Sequence, residues 1–199
     1  MKRIYSFGLF CALSLSAFNV AAQEKSSSAE MDAMMKNWKA YMTPGEAHKL
    51  MASWDGTWNG ETTMWMEPGA PPTKSKGTAV NKMVLGGRYQ TSTHKGDMMG
   101  MPFEGMGTMG YDNVKKIFVS TWIDNMGTGV MMMEGSWNEA TKTLSLKGKC
   151  VDPSRTDGKE MEMREVLRII DDKHHVMEMY SPGPDGKEYK MMEINFTKS

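Results

Sequence analysis

Apolar and polar residues alternate along most of this chain, in short runs separated by turn-forming residues. Such alternation is typical of strands that turn one face to a core and the other to solvent. The predicted strands are 57–66, 75–84, 88–94, 103–111, 116–123, 128–137, 143–151, 159–170, 174–180 and 187–197. No gap between them is long enough for the helix of a parallel crossover. The pattern therefore predicts an all-β, antiparallel up-and-down fold of about ten strands, which closes most economically as a barrel.

The spacing of apolar residues upstream of the strands predicts one or two short helices. Ser27 and Glu30 have the spacing of a capping box, and residues 31–42 carry apolar side chains at helical intervals. A second helix is predicted to start at Thr43-Pro44-Gly45-Glu46, with the threonine as N-cap, and to end near Ser53.

The first residues have the order of a secretory signal peptide. Lys2 and Arg3 are basic, the stretch that follows is mostly apolar, and Val20-Ala21-Ala22 supplies small residues for cleavage before Gln23. We therefore expect an exported protein, periplasmic or secreted. The apolar run is too short for a membrane span, so no transmembrane segment is predicted.

Three parts are expected: a signal peptide (1–22), a flexible leader with short helices (23–53) and one barrel domain (54–199). Without the signal, 177 residues remain, with 22 basic and 24 acidic side chains. A net charge near −2 without a basic cluster gives no basis for nucleic-acid binding. Cys150 is the one cysteine of the mature chain, which excludes an intramolecular disulfide. It shares the apolar parity of Leu144 and Leu146 and is therefore predicted to be a small core residue.

Methionine is the most unusual component of the composition. The chain has 24 methionines, and ten of them form the pairs 64/66, 99/101, 131/133, 161/163 and 177/179. A spacing of two places both side chains on one face of a strand. The mature chain has 23 methionines against 18 leucines, isoleucines and valines together, so methionine must replace aliphatic residues in the core. We expect a barrel filled or lined by methionine.

Several motifs resemble those of one protein family. Gly56-Thr57-Trp58 is similar to the Gly-x-Trp opening of lipocalin-like barrels, in which the tryptophan closes the barrel base beneath a short helix. The others, in order, are Met64-Trp65-Met66-x-Pro68-Gly69-Ala70-Pro71-Pro72, Leu85-Gly86-Gly87-Arg88-Tyr89, Pro102-Phe103-Glu104-Gly105, Gly110-Tyr111-Asp112, Thr121-Trp122-Ile123-Asp124-Asn125-Met126-Gly127-Thr128, Glu134-Gly135 and Pro184-Asp185-Gly186-Lys187-Glu188. As a set they resemble the exported bacterial domain of unknown function 1579, over about residues 45–199. This resemblance implies a lipocalin-like β-barrel and no particular activity, ligand or catalytic residue.

Ten side chains are candidates for lining a ligand pocket. They are Trp58, Arg88, His94, Trp122, Asp124, Met131, Met133, Met161, Met163 and Glu165. Glu165 shares the apolar parity of its strand, where a carboxylate is unfavourable unless it is paired, hydrogen-bonded or wet. Asp124 shares the parity of Trp122, and Arg88 that of His94, so interior polar groups could orient a ligand. A bulge that shifts the parity, or a position at the barrel rim, is the alternative.

The main functional hypothesis is non-catalytic binding of a small apolar or amphipathic molecule in the barrel. No catalytic residue, cofactor or metal site is predicted, and no protein partner can be named. Histidine pairs at zinc-ligand spacing are missing from the sequence, and His48 is expected at the surface of its helix. Two alternatives stay open. One is copper(I) handling or oxidant buffering by methionine, with Met99 and Met101 near His94 as the strongest segment. The other is an enzyme that uses a carboxylate in a pocket.

Overall fold

The computed structural model describes residues 16–151 and 157–199, with side chains from residue 28 onward. It divides into two units, which meet between Met42 and Thr43 in the sequence. Most of the predicted signal peptide falls on residues 1–15, outside the described residues. No helix of the described part is long and apolar enough to cross a membrane.

The first unit contains helix α1 (Ser16–Met42). It includes the start of the segment 23–53, where a flexible leader was expected ahead of the short helices. The difference has a local cause, because residues 16–42 contain neither proline nor glycine and therefore nothing that interrupts a helix. Its exposed apolar side chains follow a helical stripe: Met31, Met34, Met35, Trp38, Tyr41 and Met42.

The second unit begins with helix α2 (Glu46–Ser53) and continues as ten antiparallel strands. The strands are β1 (Gly56–Met64), β2 (Thr73–Val84), β3 (Tyr89–Met98), β4 (Met101–Asp112), β5 (Ile117–Asp124), β6 (Met131–Asn138), β7 (Thr143–Val151), β8 (Glu160–Asp171), β9 (His174–Pro182) and β10 (Glu188–Lys198). Each strand pairs with the next along the chain, and β1 pairs with β10, so the sheet closes on itself. The predicted all-β, up-and-down barrel is confirmed.

The two ends of the barrel differ. The chain enters β1 directly from α2, so this helix lies at the end where odd-numbered strands start; we call it the helix end. The opposite end, which we call the mouth, carries longer connections, among them 65–72, 125–130 and 183–187. Long loops at one end of a barrel are the usual place for access to its interior.

A tight hairpin at the mouth differs from the expectation of a loop between residues 94 and 103. β3 and β4 pair up to Met98 and Met101, which leaves a two-residue turn at Met99 and Gly100 with φ angles of +56° and +81°. Two left-handed residues make the turn type whose twist matches that of paired strands. The carboxylate of Asp97 accepts the Gly100 N–H at 2.8 Å and holds the turn closed.

Helix α2 closes the helix end from inside. Met51 and Trp54 are at most 2% exposed and belong to one buried cluster with Phe118, Leu144 and Leu146. Full burial of a side chain of this size contributes about 1.5–3 kcal/mol, so this cluster is the main apolar core.

The base of the barrel and the start of α2 involve two further contacts. Trp58 is 1% exposed and donates its Nε1–H to the Trp54 carbonyl at 3.0 Å, so it closes the base as the resemblance implied. The expected N-cap at Thr43 is wrong, because Gly45 caps the helix and the His48 ring accepts the Gly45 N–H at 3.0 Å. That bond and contact with Tyr111 place His48 inside rather than at the surface. Burial and the nearby Arg88 lower its pKa.

Candidate ligand site in the barrel lumen

The lumen is tightly filled at the helix end and more open toward the mouth. Apart from Met133, Met163 and Ser181, which are buried, inward-facing side chains nearer the mouth keep part of their surface accessible, although strands surround them on all sides. They include Thr62, His94, Trp122, Met131, Met161, Glu165, Met179 and Met192. Because these side chains point into the barrel, their accessible surface indicates space in the lumen. We call this region the upper lumen.

One wall of the upper lumen is aromatic and is built around Trp122. Its indole lies over glycines of β4, since a Cβ on Gly105 would come within 2.3 Å of indole atom Cζ2. The indole Nε1–H donates to Asp124 Oδ2 at 2.8 Å, which fixes the orientation of the ring. Phe103 stacks against the same indole, with ring centroids 6.4 Å apart.

His94 extends this aromatic wall. Its ring meets Trp122 edge-on at 4.9 Å and Phe196 at 6.2 Å between centroids. Phe196 in turn lies over Gly60, where a Cβ would be 3.1 Å from the phenyl ring. The glycines opposite these rings therefore make room for aromatic side chains inside the barrel.

The opposite wall is rich in methionine and contains one carboxyl group. Strands β6, β8 and β9 turn both members of three predicted pairs inward, namely Met131 and Met133, Met161 and Met163, and Met177 and Met179. Glu165 lies among them, opposite Leu146 of β7 and Met179 of β9 in the register. The parity assigned to Glu165 from the sequence is thus observed, without a bulge at that point.

Glu165 and His94 lie at about the same height on opposite sides of the lumen. Through its register partners on β9 and β10, Glu165 corresponds to Met64 on β1. Through Ala79 on β2, His94 corresponds to Trp58 on the same strand, six residues nearer the helix end than Met64. In the other direction, through β7, β6 and β5, Glu165 corresponds to Tyr111 on β4. The partner of His94 on β4 is Gly105, six residues nearer the mouth than Tyr111. Because these two offsets along the strands are equal and opposite in sign, Glu165 and His94 lie at the same height along the barrel axis and half a turn of the barrel apart. Ten strands about 4.8 Å apart and tilted by about 40° give roughly 20 Å between opposite backbones.

Both ionisable groups are shifted toward their neutral forms. Burial raises the pKa of Glu165 to about 7 and lowers the pKa of His94 to about 4. Neither forms a hydrogen bond or ion pair with any residue of the described part of the chain, and desolvation alone accounts for both shifts. The upper lumen thus contains two polar groups at the same height without hydrogen-bond partners in the described chain: His94 on the aromatic wall and Glu165 on the methionine-rich wall.

The other predicted residues fall in three places. Trp58 lies at the base, where its ring packs against the His175 ring at an interplanar angle of 33°, with centroids 4.1 Å apart. Asp124 is at the rim and accepts from the Met126 N–H at 2.9 Å as well as from Trp122, which agrees with the rim alternative. Arg88 was expected on the face of His94 and is instead exposed in the turn before β3, donating to the Leu85 carbonyl at 3.1 Å. The parity of β3 does not extend into that turn.

Sequence reasoning missed a polar latch beneath the site. The Gln90 amide donates to the Met51 carbonyl at 2.6 Å and to Asp55 Oδ1 at 2.8 Å. Asp55 Oδ2 also accepts the Met83 N–H at 2.9 Å. The latch joins the end of α2 to β2 and β3. Its only sequence signal is the inward parity of Gln90, which does not reveal the helix as the partner.

The positions of Met99, Met101 and His94 in the structure do not support the copper hypothesis. Met99 is 65% exposed at the hairpin turn, whereas His94 pairs with Gly105, four residues along β4 from Met101. Within residues 16–151 and 157–199, no three His, Cys, Asp or Glu side chains form a group that could hold a metal ion.

Comparison with known proteins identifies the family and the fold. Among solved structures, one titled "Crystal Structure of Rv2717c from M. tuberculosis" is similar, with a TM-score of 0.59 and 14% identity. The match covers 79% of this chain and 99% of that one, and at this identity it supports the barrel fold alone. No curated protein matches the sequence. The family described as "Protein of unknown function (DUF1579)" matches residues 43–198, which span α2 and the whole barrel, and the chain therefore belongs to this family.

Proposed function

We propose that this protein binds a small amphipathic molecule in the upper lumen. The observation that carries the proposal is the contrast along the barrel axis. Met51 and Leu144 at the helix end are 0% exposed, whereas most inward-facing side chains of the upper lumen remain partly exposed. A concave, mostly apolar space with a few polar groups is the usual form of a small-molecule site.

The polar groups in this space support binding rather than simple core packing. A carboxyl group and an imidazole without partners are unfavourable in an apolar interior, and a ligand that hydrogen-bonds to them would remove that penalty. Thioether side chains adapt to ligand shape, which suits a lumen that accepts a molecule.

A lumen-blocking variant tests the proposal. Thr62 faces the upper lumen from β1, and Thr78 lies on the exposed face of the neighbouring strand β2. Changing each to tryptophan makes the same chemical replacement inside and outside the barrel. The neutral probe N-phenyl-1-naphthylamine should show enhanced fluorescence with the unmodified protein and with Thr78→Trp. With Thr62→Trp its affinity should fall by about tenfold or more, the equivalent of about 1.4 kcal/mol.

Two results would overturn the proposal. One is equal probe binding by both variants, which would place the probe outside the barrel. The other is failure of the unmodified protein to bind any probe, together with native mass spectra that show no bound small molecule after purification.

Export by residues 1–22 is a further part of the proposal, and its support is the sequence of that segment. Expression of the full chain in a bacterium followed by intact-mass measurement tests it. A periplasmic product that begins at Gln23 is expected, and an unprocessed chain in the cytoplasm would contradict it.

A further inference from the structure

The charge distribution of the upper lumen narrows the class of ligand beyond a generic amphipathic molecule. This step rests on the proposed function, because it assumes that the lumen is the binding site. Glu165 is the ionisable carboxyl group at mid-height of the lumen, and its register neighbours on β7 and β9 are Leu146 and Met179. Its strand neighbours on the same face, Met163 and Leu167, are also apolar. No cation of the described chain compensates its charge.

The aromatic wall favours a positive ligand as well. The faces of Trp122, Phe103 and Phe196 are electron-rich and attract cations. His94 adds no positive charge to this wall near neutral pH, because burial holds its pKa at about 4. Methionine sulfurs are polarisable and offer weak acceptors on the opposite side.

Basic side chains of the described strands point elsewhere. Lys147, Lys149 and Arg164 lie on the outward parity of β7 and β8, and Lys190 pairs with Glu178 and Glu193 on the outer face of β10. Lys198 lies at the helix end, 5.1 Å from the centre of the Trp58 ring. An anionic ligand such as a fatty acid would therefore meet a carboxyl group and aromatic faces in the upper lumen rather than a counterion.

We propose that the upper lumen selects flat aromatic molecules that carry a protonated amine, with the ammonium group on Glu165 and the ring system against Trp122 and His94. The ammonium group would supply hydrogen-bond donors and a positive charge to the Glu165 carboxylate, which has neither as a partner in the described chain. A ten-stranded barrel is wider than the eight-stranded barrels whose interior can hold one small ligand, so the roughly 20 Å between opposite backbones leaves room for one aromatic system.

A matched set of three ligands tests this inference by isothermal titration calorimetry at pH 8. The set is 1-naphthylmethylamine, 1-naphthalenemethanol and 1-naphthoate, which share one ring system and differ in charge. The amine should bind about tenfold or more tighter than the alcohol, and the carboxylate should bind weakest. In Glu165→Gln the amine should lose this advantage, while the affinity of the alcohol changes by less than about threefold. Glu162→Gln, on the exposed face of the same strand, is the matched control and should keep the amine preference.

The outcomes separate this inference from the proposed function. If the alcohol binds and is blocked by Thr62→Trp, yet the amine has no advantage, the lumen binds ligands and the inference about amines is wrong. An amine preference that persists in Glu165→Gln also overturns the inference. If none of the three compounds binds the unmodified protein, both proposals fail.

Discussion

Replacement of Glu165 by glutamine should stabilise the protein at neutral and alkaline pH. Burial raises the pKa of this carboxyl group from 4.5 to about 7 in the folded chain. Each pKa unit corresponds to about 1.4 kcal/mol of differential interaction between the two protonation states, so the ionised form lowers the free energy of unfolding by about 3 kcal/mol. Glutamine has nearly the same shape and no charge to desolvate.

The sign of the pH dependence follows from the direction of the shift. A carboxyl group whose folded pKa is raised contributes stability that is fully present below pH 4.5 and is lost as the pH rises to about 7. The difference in unfolding free energy, variant minus unmodified protein, should therefore be near zero at pH 4.5. It should rise by about 1.4 kcal/mol per pH unit and level off near 3 kcal/mol above pH 7.

Two histidines act in the opposite direction over part of this range. Burial lowers the pKa values of His94 and His175 from 6.5 to about 4. The stability that each contributes is present above pH 6.5 and is lost as the pH falls to 4. The profile of the unmodified protein therefore mixes opposing slopes, whereas the difference curve isolates Glu165 because both proteins contain the histidines.

Urea unfolding followed by tryptophan fluorescence at pH 5, 6, 7 and 8 measures this curve. Glu162→Gln makes the same chemical change on the exposed face of β8 and should alter the unfolding free energy by less than about 0.5 kcal/mol at each pH. A flat difference curve for Glu165→Gln, or a less stable variant at pH 8, would refute the reasoning. Either result would mean that the carboxylate is well solvated or paired in the folded protein.

Three further predictions address the core, the aromatic wall and the latch. Met133→Ala should lower the urea-derived unfolding free energy by about 2–5 kcal/mol, and Met132→Ala on the outer face by less than about 0.5 kcal/mol; equal losses would contradict the assigned faces. Gly105→Ala should displace the indole above it, shifting tryptophan emission and lowering stability by about 1–3 kcal/mol, whereas Gly127→Ala, which meets open space, should change neither. Gln90→Ala should cost about 1–3 kcal/mol and speed hydrogen exchange in α2; unchanged exchange would argue against the latch.

The barrel could be predicted from the sequence because its two determinants are local. Alternation fixed which side chains face inward, and turn residues fixed where strands stop, so all ten strands were found. The errors lie where local signals compete. At the β3–β4 hairpin, Asp97 and Gly100 made a two-residue turn out of a segment interpreted as a loop. At α2, Gly45 capped the helix in place of Thr43, because the His48 ring accepts its N–H.

The site was predictable by face but not by position around the barrel. Parity placed Glu165, His94 and the inward methionines on the interior, where the structure has them. Their relative height depends on the stagger accumulated over five strands, which no single segment encodes. The same limit explains Phe196, which joins the wall of His94 although it lies on the last strand. Arg88 shows the reverse error, since parity was extended beyond the end of a strand.

The unpaired carboxyl group connects stability with binding in this barrel. Leu146, Met163 and Met179 surround Glu165 with apolar atoms, so an apolar residue there would raise stability at neutral pH. A cationic ligand would offset this penalty in the bound state, and binding to the folded chain alone raises the free energy of unfolding by mass action. The amine should therefore stabilise the unmodified protein at pH 8 by more than it stabilises Glu165→Gln. The alcohol carries no charge and can hydrogen-bond to either side chain, so it should stabilise both proteins to a similar extent.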